Sequence, residues 1–183
     1  LRPCKENCYA NDEGEMEYVG IHPGWLARFQ SRLDYIEGEY ELCPGVKLLP
    51  HSLDMTEPGK KAMMYTLEGK VFFPELFKHE QSLVFETEKG LVIFNSCSHG
   101  GADNIIREVQ LAYPEQKLYA MIGGFHLYKA TPEEVAALAE RIKATGIQRV
   151  VTGHCTGEPA YAILKEKLGD MVQQMYAGFT LTF

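Results

Sequence analysis

Three times between residues 91 and 168 the chain passes from a short apolar run, through a polar loop carrying glycine and one histidine, into a stretch of helical periodicity. The first run, Leu91-Val92-Ile93-Phe94, is too short for a helix core and reads as a buried strand. Ser96 to Gly101 then makes a tight polar loop, and Ile105, Ile106 and Val109 recur at helical spacing. The second strand, Lys117–Ile122, stops at Gly123-Gly124-Phe125-His126. Thr131-Pro132-Glu133-Glu134 is a capping box with proline at the first helical position; Val135, Leu138, Ala139 and Ile142 supply an apolar stripe, and Gly146 closes the helix. The third strand, Ile147–Val151, runs into Thr152-Gly153-His154-Cys155-Thr156-Gly157, and the helix that follows ends at Gly169. This rhythm predicts a layered α/β (α+β) fold, in which polar residues at the carboxyl ends of strands are the ones open to ligands. His99, His126 and His154 each stand at such an end.

The remaining chain is less regular. Residues 1–20 read as a polar, irregular arm with Asn11, Asp12 and Gly14 as turn formers. Trp25, Leu26, Phe29 and Leu33 form one apolar stripe of a short helix suited to packing or to a pocket rim. Glu39–Cys43 and Val46–Leu49 are β-prone runs broken by Pro44-Gly45. Residues 52–80, with a turn at Pro58-Gly59, show no clear period and read as an extended loop or lid. Ser82–Thr87 alternates and pairs as a hairpin with the strand from Leu91; Met171–Tyr176 and Phe179–Phe183 read as closing strands. No linker interrupts the chain, so residues 1–183 are treated as one domain, with 1–80 irregular or lid-like and 81–183 the regular strand-helix half.

A net charge of −7 with no cluster of Lys and Arg leaves no basic face for phosphate backbones, so nucleic acid is an unsuitable partner. No apolar run approaches the length of about 18 residues that a membrane span requires. Five cysteines, an odd number in a chain too large to need staples, suit free thiols in a reducing, cytoplasmic setting. Cys4 and Cys8 lack a second pair at metal-binding spacing and read as surface thiols.

Three imidazoles after three strands point to a metal. Zinc and iron-group ions take neutral imidazole readily and need three or four ligands brought from separate elements onto one rim, which neighbouring strand ends supply. Gly100, Gly123, Gly124 and Gly153 flank His99, His126 and His154, freeing the backbone to turn. His22, His51 and His79 lack this setting and read as surface or packing residues. Cys97 and Cys155 read as ordinary thiols of tight loops, with a place behind the ligands or on the metal as the alternative.

Ser96-Cys97-Ser98-His99-Gly100, Ile122-Gly123-Gly124-Phe125-His126-Leu127 and Gly153-His154-Cys155-Thr156-Gly157 resemble motifs of the metallo-β-lactamase fold, on the branch similar to dihydropterin-ribofuranosylaminobenzene-phosphate synthase. The resemblance implies an αββα sandwich with one or two divalent ions, zinc first and manganese or iron as alternatives. It further implies that His99 is the late ligand of a first metal and His154 of a second, with His126 where the superfamily places a bridging Asp. The superfamily's His-x-His-x-Asp-His cluster is absent from the sequence, which also opens at Leu1 without an initiator Met. The resemblance therefore implies the C-terminal portion of a longer protein, a metal-dependent hydrolase or related transferase acting on a small molecule through metal-activated water. Two other readings stay open. One is a non-catalytic fold half that forms a homo-oligomer or pairs with the missing N-terminal half; the other is redox chemistry at Cys97 or Cys155.

Overall fold

The computed structural model describes residues 6–51 and 64–183. In chain order the elements are β1 (Cys8–Asp12), β2 (Glu15–Tyr18), the single turn α1 (Trp25–Arg28), β3 (Tyr40–Cys43), β4 (Val46–Pro50), β5 (Met64–Glu68) and β6 (Val71–Pro74). They continue with β7 (Gln81–Thr87), β8 (Gly90–Phe94), α2 (Ala102–Ala112), β9 (Leu118–Gly123), α3 (Pro132–Ala144), β10 (Arg149–Thr152), α4 (Glu158–Leu168) and β11 (Val172–Gln174). The chain divides into two compact units, one of Leu1–Glu37 with Asp54–His79 and the other of Gly38–Leu53 with Glu80–Phe183. Among the described residues, no helix is long and apolar enough to cross a membrane.

The larger unit is built on a seven-stranded sheet in the order β11-β10-β9-β8-β7-β4-β3. β8 to β11 run parallel, while β7, β4 and β3 are joined antiparallel. Successive crossovers through α2, α3 and α4 step in one direction across the sheet, so the right-handed rule puts all three helices on one face. The register aligns Val84, Ile93, Met121, Val150 and Val172 in a single row across five strands, each 0–1 % exposed. Ile105, Ile106 and Val109 of α2, Val135, Ala139 and Ile142 of α3 and Leu164 of α4 are as deeply buried, which accounts for the apolar stripes in the sequence. Fully burying one such Val, Ile or Leu side chain stabilises the fold by about 1.5–3 kcal/mol.

The smaller unit departs from the sequence reading. Residues expected as an irregular arm and a loop pair instead into a four-stranded sheet, β2-β1-β5-β6. Each hairpin closes on a two-residue turn with positive φ: Glu13-Gly14 at 50° and 101°, and Gly69 (64°) before Lys70. Such turns match the twist of the flanking strands and need no long alternating run to announce them. Cys8, expected at the surface, is buried in β1 opposite Thr66. The helix expected from Trp25 to Leu33 shrinks to α1 and one 3-10 turn (Gln30–Arg32), with no buried residue and Trp25 half exposed. A helical stripe without an apolar partner does not repay nucleation. Phe179–Phe183 forms no strand; Met175 N–H donates to Thr152 O, Gly178 then turns at φ 85°, and Phe183 packs its ring on Tyr119. The turn read at Pro58-Gly59, like Cys4, lies outside the described residues.

Candidate metal centre

β8, β9 and β10 run in one direction, so the loops after Phe94, Gly123 and Thr152 emerge on one edge of the sheet. β4 shares that direction, and β7 runs against it. His51, just after β4, and Glu80, just before β7, therefore reach the same edge. Each of the three loops holds one non-glycine residue in the left-handed region: Ser98 at φ 52°, His126 at 51° and His154 at 53°. Such conformations cost of order 1–3 kcal/mol and gather at functional sites. Glycine serves close approach here more than turning. A Cβ on Gly124 would lie 2.6 Å from Cys155 Sγ, and one on Gly153 would lie 2.4 Å from Met175 O.

The loops bring five donor side chains into two groups. The ligand atoms of Cys97, His99 and His126 lie within 4.8 Å of one another, as do those of Cys97, His154 and Cys155. Cys97 belongs to both. The rings of His99 and His126 stand edge to face with centroids 4.5 Å apart, whereas His154 is exposed and joins only the sulfurs. For comparison, a tetrahedral zinc ion with bonds of about 2.0–2.3 Å sets its donors about 3.3–3.8 Å apart.

Glu80 anchors the first loop. Its carboxylate accepts from His99 N–H (3.0 Å), Gly100 N–H (3.2 Å) and His99 Nδ1 (3.1 Å). Burial opposes its charge, but the hydrogen bonds and positive potential from His99 and the two backbone donors outweigh burial and hold the carboxyl below its ordinary range. Glu80 thus engages His99 through Nδ1, the carboxylate support found behind metal-bound histidines. Burial, with the neighbouring His99, pushes the imidazolium form of His126 down to about 4, so its ring is neutral, as a ligand must be. Its buried Nδ1 has no hydrogen-bond partner among the described residues. Cys155 Sγ accepts from His126 N–H at 3.2 Å, and burial raises its thiol to about 11. An orphaned imidazole nitrogen, a carboxylate-held histidine and two thiols are a donor set that suits zinc or an iron-group ion.

A second, fully buried chain fixes the same loop from beneath. Glu108 accepts from His51 Nδ1, His51 Nε2 accepts from Ser82 Oγ at 2.9 Å, and the Asn95 amide donates to Ser82 Oγ (2.9 Å) while its oxygen accepts from Ser98 N–H and Oγ (both 3.0 Å). His51 is thus a packing residue with both nitrogens engaged. His22 is exposed beside Trp25, and His79 sits in the smaller unit with Nδ1 3.7 Å from Glu75. Glu80 and the relay residues Ser82 and Asn95 belong to no motif of the sequence. Glu80 stands 19 residues before His99, with no motif between them, and only the β7–β8 hairpin makes them neighbours. The hairpin turn at Lys89-Gly90, which sets the two residues on opposite arms, is the one signal that could have paired them.

No protein-family model matches the chain. The 7,8-dihydropterin-6-methyl-4-(beta-D-ribofuranosyl)-aminobenzene-5'-phosphate synthase of Methanocaldococcus jannaschii is 32% identical over 120 residues, which cover 66% of this chain and 41% of the synthase. The match thus spans less than half of that relative's length. The crystal structure of Tm1679, a metal-dependent hydrolase of the beta-lactamase superfamily, superposes with a TM-score of 0.80 at 28% identity, covering 97% of this chain and 67% of that one. The chain is therefore a mixed α/β protein of metallo-β-lactamase-like fold, similar in sequence to the dihydropterin-ribofuranosylaminobenzene-phosphate synthase branch.

Proposed function

We propose that this protein is a metal-dependent hydrolase, or a related group-transfer enzyme, whose divalent ion or ions are held through His99, His126 and His154. Zinc is the first choice, with manganese or iron as alternatives. The observation that carries the reading is the convergence of imidazole and thiol donors on one sheet edge, with Glu80 braced behind His99. A divalent ion bound there supplies a water acidified to about pKa 7 for attack on a carbonyl or phosphoryl centre. The chain's own residues do the rest. Glu80 holds the His99 ring through Nδ1; burial keeps His126 neutral; the relay from Glu108 to Ser98 holds the first loop in its left-handed turn. The net charge of −7 favours a small-molecule substrate over a polynucleotide. Free thiols at the site suit a reducing compartment, the cytoplasm.

The test uses the protein at its full natural length. After chelation it should be inactive on phosphodiester, lactone and thioester panels, and zinc, manganese or iron should restore hydrolysis of at least one class. Inactivity with all three metals overturns the reading.

A second reading, a non-catalytic assembly module, is favoured by apolar side chains on edge strands. Tyr40 and Leu42 of β3 are 47% and 50% exposed, and Val71, Phe72 and Phe73 of β6 are exposed as well. Such edges invite pairing with another copy or another chain. A well-behaved monomer in light scattering removes it.

A further inference from the structure

The histidines alone do not complete either donor group. His99 and His126 are two donors in one group, and His154 is one donor in the other; each reaches three only with sulfur, and the sulfur common to both is that of Cys97. We propose that Cys97 and Cys155 are themselves metal ligands, making this edge a mixed thiolate and imidazole centre in which Cys97 is shared between the two groups. The proposal rests on the reading of these loops as a metal site, and changes what the site is.

Several features of the structure support it. Cys155 Sγ occupies a recess that exists only because residue 124 lacks a Cβ: the atom would sit 2.6 Å from the sulfur. The sulfur is also met by a backbone donor, His126 N–H at 3.2 Å. Backbone N–H groups aimed at sulfur stabilise a thiolate more than a thiol, because the acceptor is charged. Ser96 Oγ lies 3.8 Å from Cys97 Sγ, a further donor toward the shared atom. His99 arrives with its other nitrogen already on a carboxylate, the support that metal-bound histidines show. On binding, each thiol loses its proton to solvent and its sulfur lone pair goes to the ion, so no oxidant or reductant is involved. Thiolate donors select zinc, iron or copper(I) over magnesium and calcium, so the centre should discriminate strongly between them.

The test is carried out on the reduced, metal-stripped chain. Cobalt(II) should produce a sulfur-to-cobalt charge-transfer band in the near ultraviolet, and zinc should displace it. Zinc should also protect Cys97 and Cys155 from iodoacetamide, read by mass spectrometry, while the exposed Cys43 is alkylated equally with and without zinc. Cys97→Ser should abolish the band and weaken zinc binding by more than about 100-fold, beyond the loss seen when only a supporting group is removed. Cys155→Ser should lose part of the band, and Cys43→Ser should change nothing. The band and the protection are read on the wild-type chain, so they decide the matter even where a variant fails to fold. Cobalt bound without the band, with both thiols alkylated at unchanged rates, overturns the thiolate centre and leaves the imidazole hydrolase standing. A chain that binds neither cobalt nor zinc also overturns the thiolate centre, while the hydrolase reading is decided separately by the activity panel on the full-length protein.

Discussion

Glu80 and Gly124 show how much of this site rests on single atoms. The Glu80 carboxylate satisfies three donors at once. Glu80→Ala leaves a buried loop unmatched and is expected to cost about 1–3 kcal/mol in denaturant unfolding. It should also weaken zinc binding about 10–100-fold by competitive titration, because the His99 ring loses its hold. Glu80→Gln, which still offers an oxygen to the loop, should lose less of both. Gly124→Ala forces a Cβ to within 2.6 Å of the Cys155 sulfur and 3.1 Å of Ser96 O. It is expected to cost about 1–3 kcal/mol through overpacking and to diminish the cobalt-sulfur band. At this scale the three loop histidines were legible because glycine, histidine and the end of an apolar run are neighbours in sequence. Glu80 was not, since a carboxylate's partner across a hairpin leaves no local mark.

The elements divide by how they are specified. α3 was readable to the residue, because its capping box is local chemistry: Glu134 N–H donates to Thr131 Oγ1 at 3.2 Å, and Thr131 N–H donates to Glu134 Oε2 at 2.8 Å. Thr131→Ala should cost about 1 kcal/mol in chemical denaturation. β8, β9 and β10 were readable as apolar runs, and their burial follows from lying mid-sheet under helices. Met121 is fully buried in the row from Val84 to Val172, so Met121→Ala is expected to cost about 2–5 kcal/mol. A cost below about 1 kcal/mol would show that the row does not carry the core. The hairpins β1–β2 and β5–β6 escaped sequence reading because their edge strands, β2 and β6, are largely exposed and show no clean alternation. The Trp25 stripe erred in the other direction: its helical spacing was genuine, but spacing supplies no burial.

For the molecule as a whole, a site assembled from three loops ties metal binding to folding. Zinc at 100 times its dissociation constant should stabilise the folded chain by about 2.7 kcal/mol. For a chain of this size that is about 5–10 °C in the thermal midpoint, reversed by a chelator. Magnesium at the same excess should give no such shift if thiolates are present. The amino-acid sequence by itself determined the alternation of strand and helix after residue 81, the caps and stops of the helices, and the presence of a histidine at the end of each of three strands. These depend on periodicity and on groups a few residues apart. Which donors meet was decided by tertiary structure alone. Cys97, His126 and Cys155 lie far apart along the chain, and it is the parallel register of β8, β9 and β10 that sets one loop beside the next. That register placed Cys97 in both groups and brought Glu80 behind the first loop, because distances between loops are set by strand pairing and not by sequence spacing.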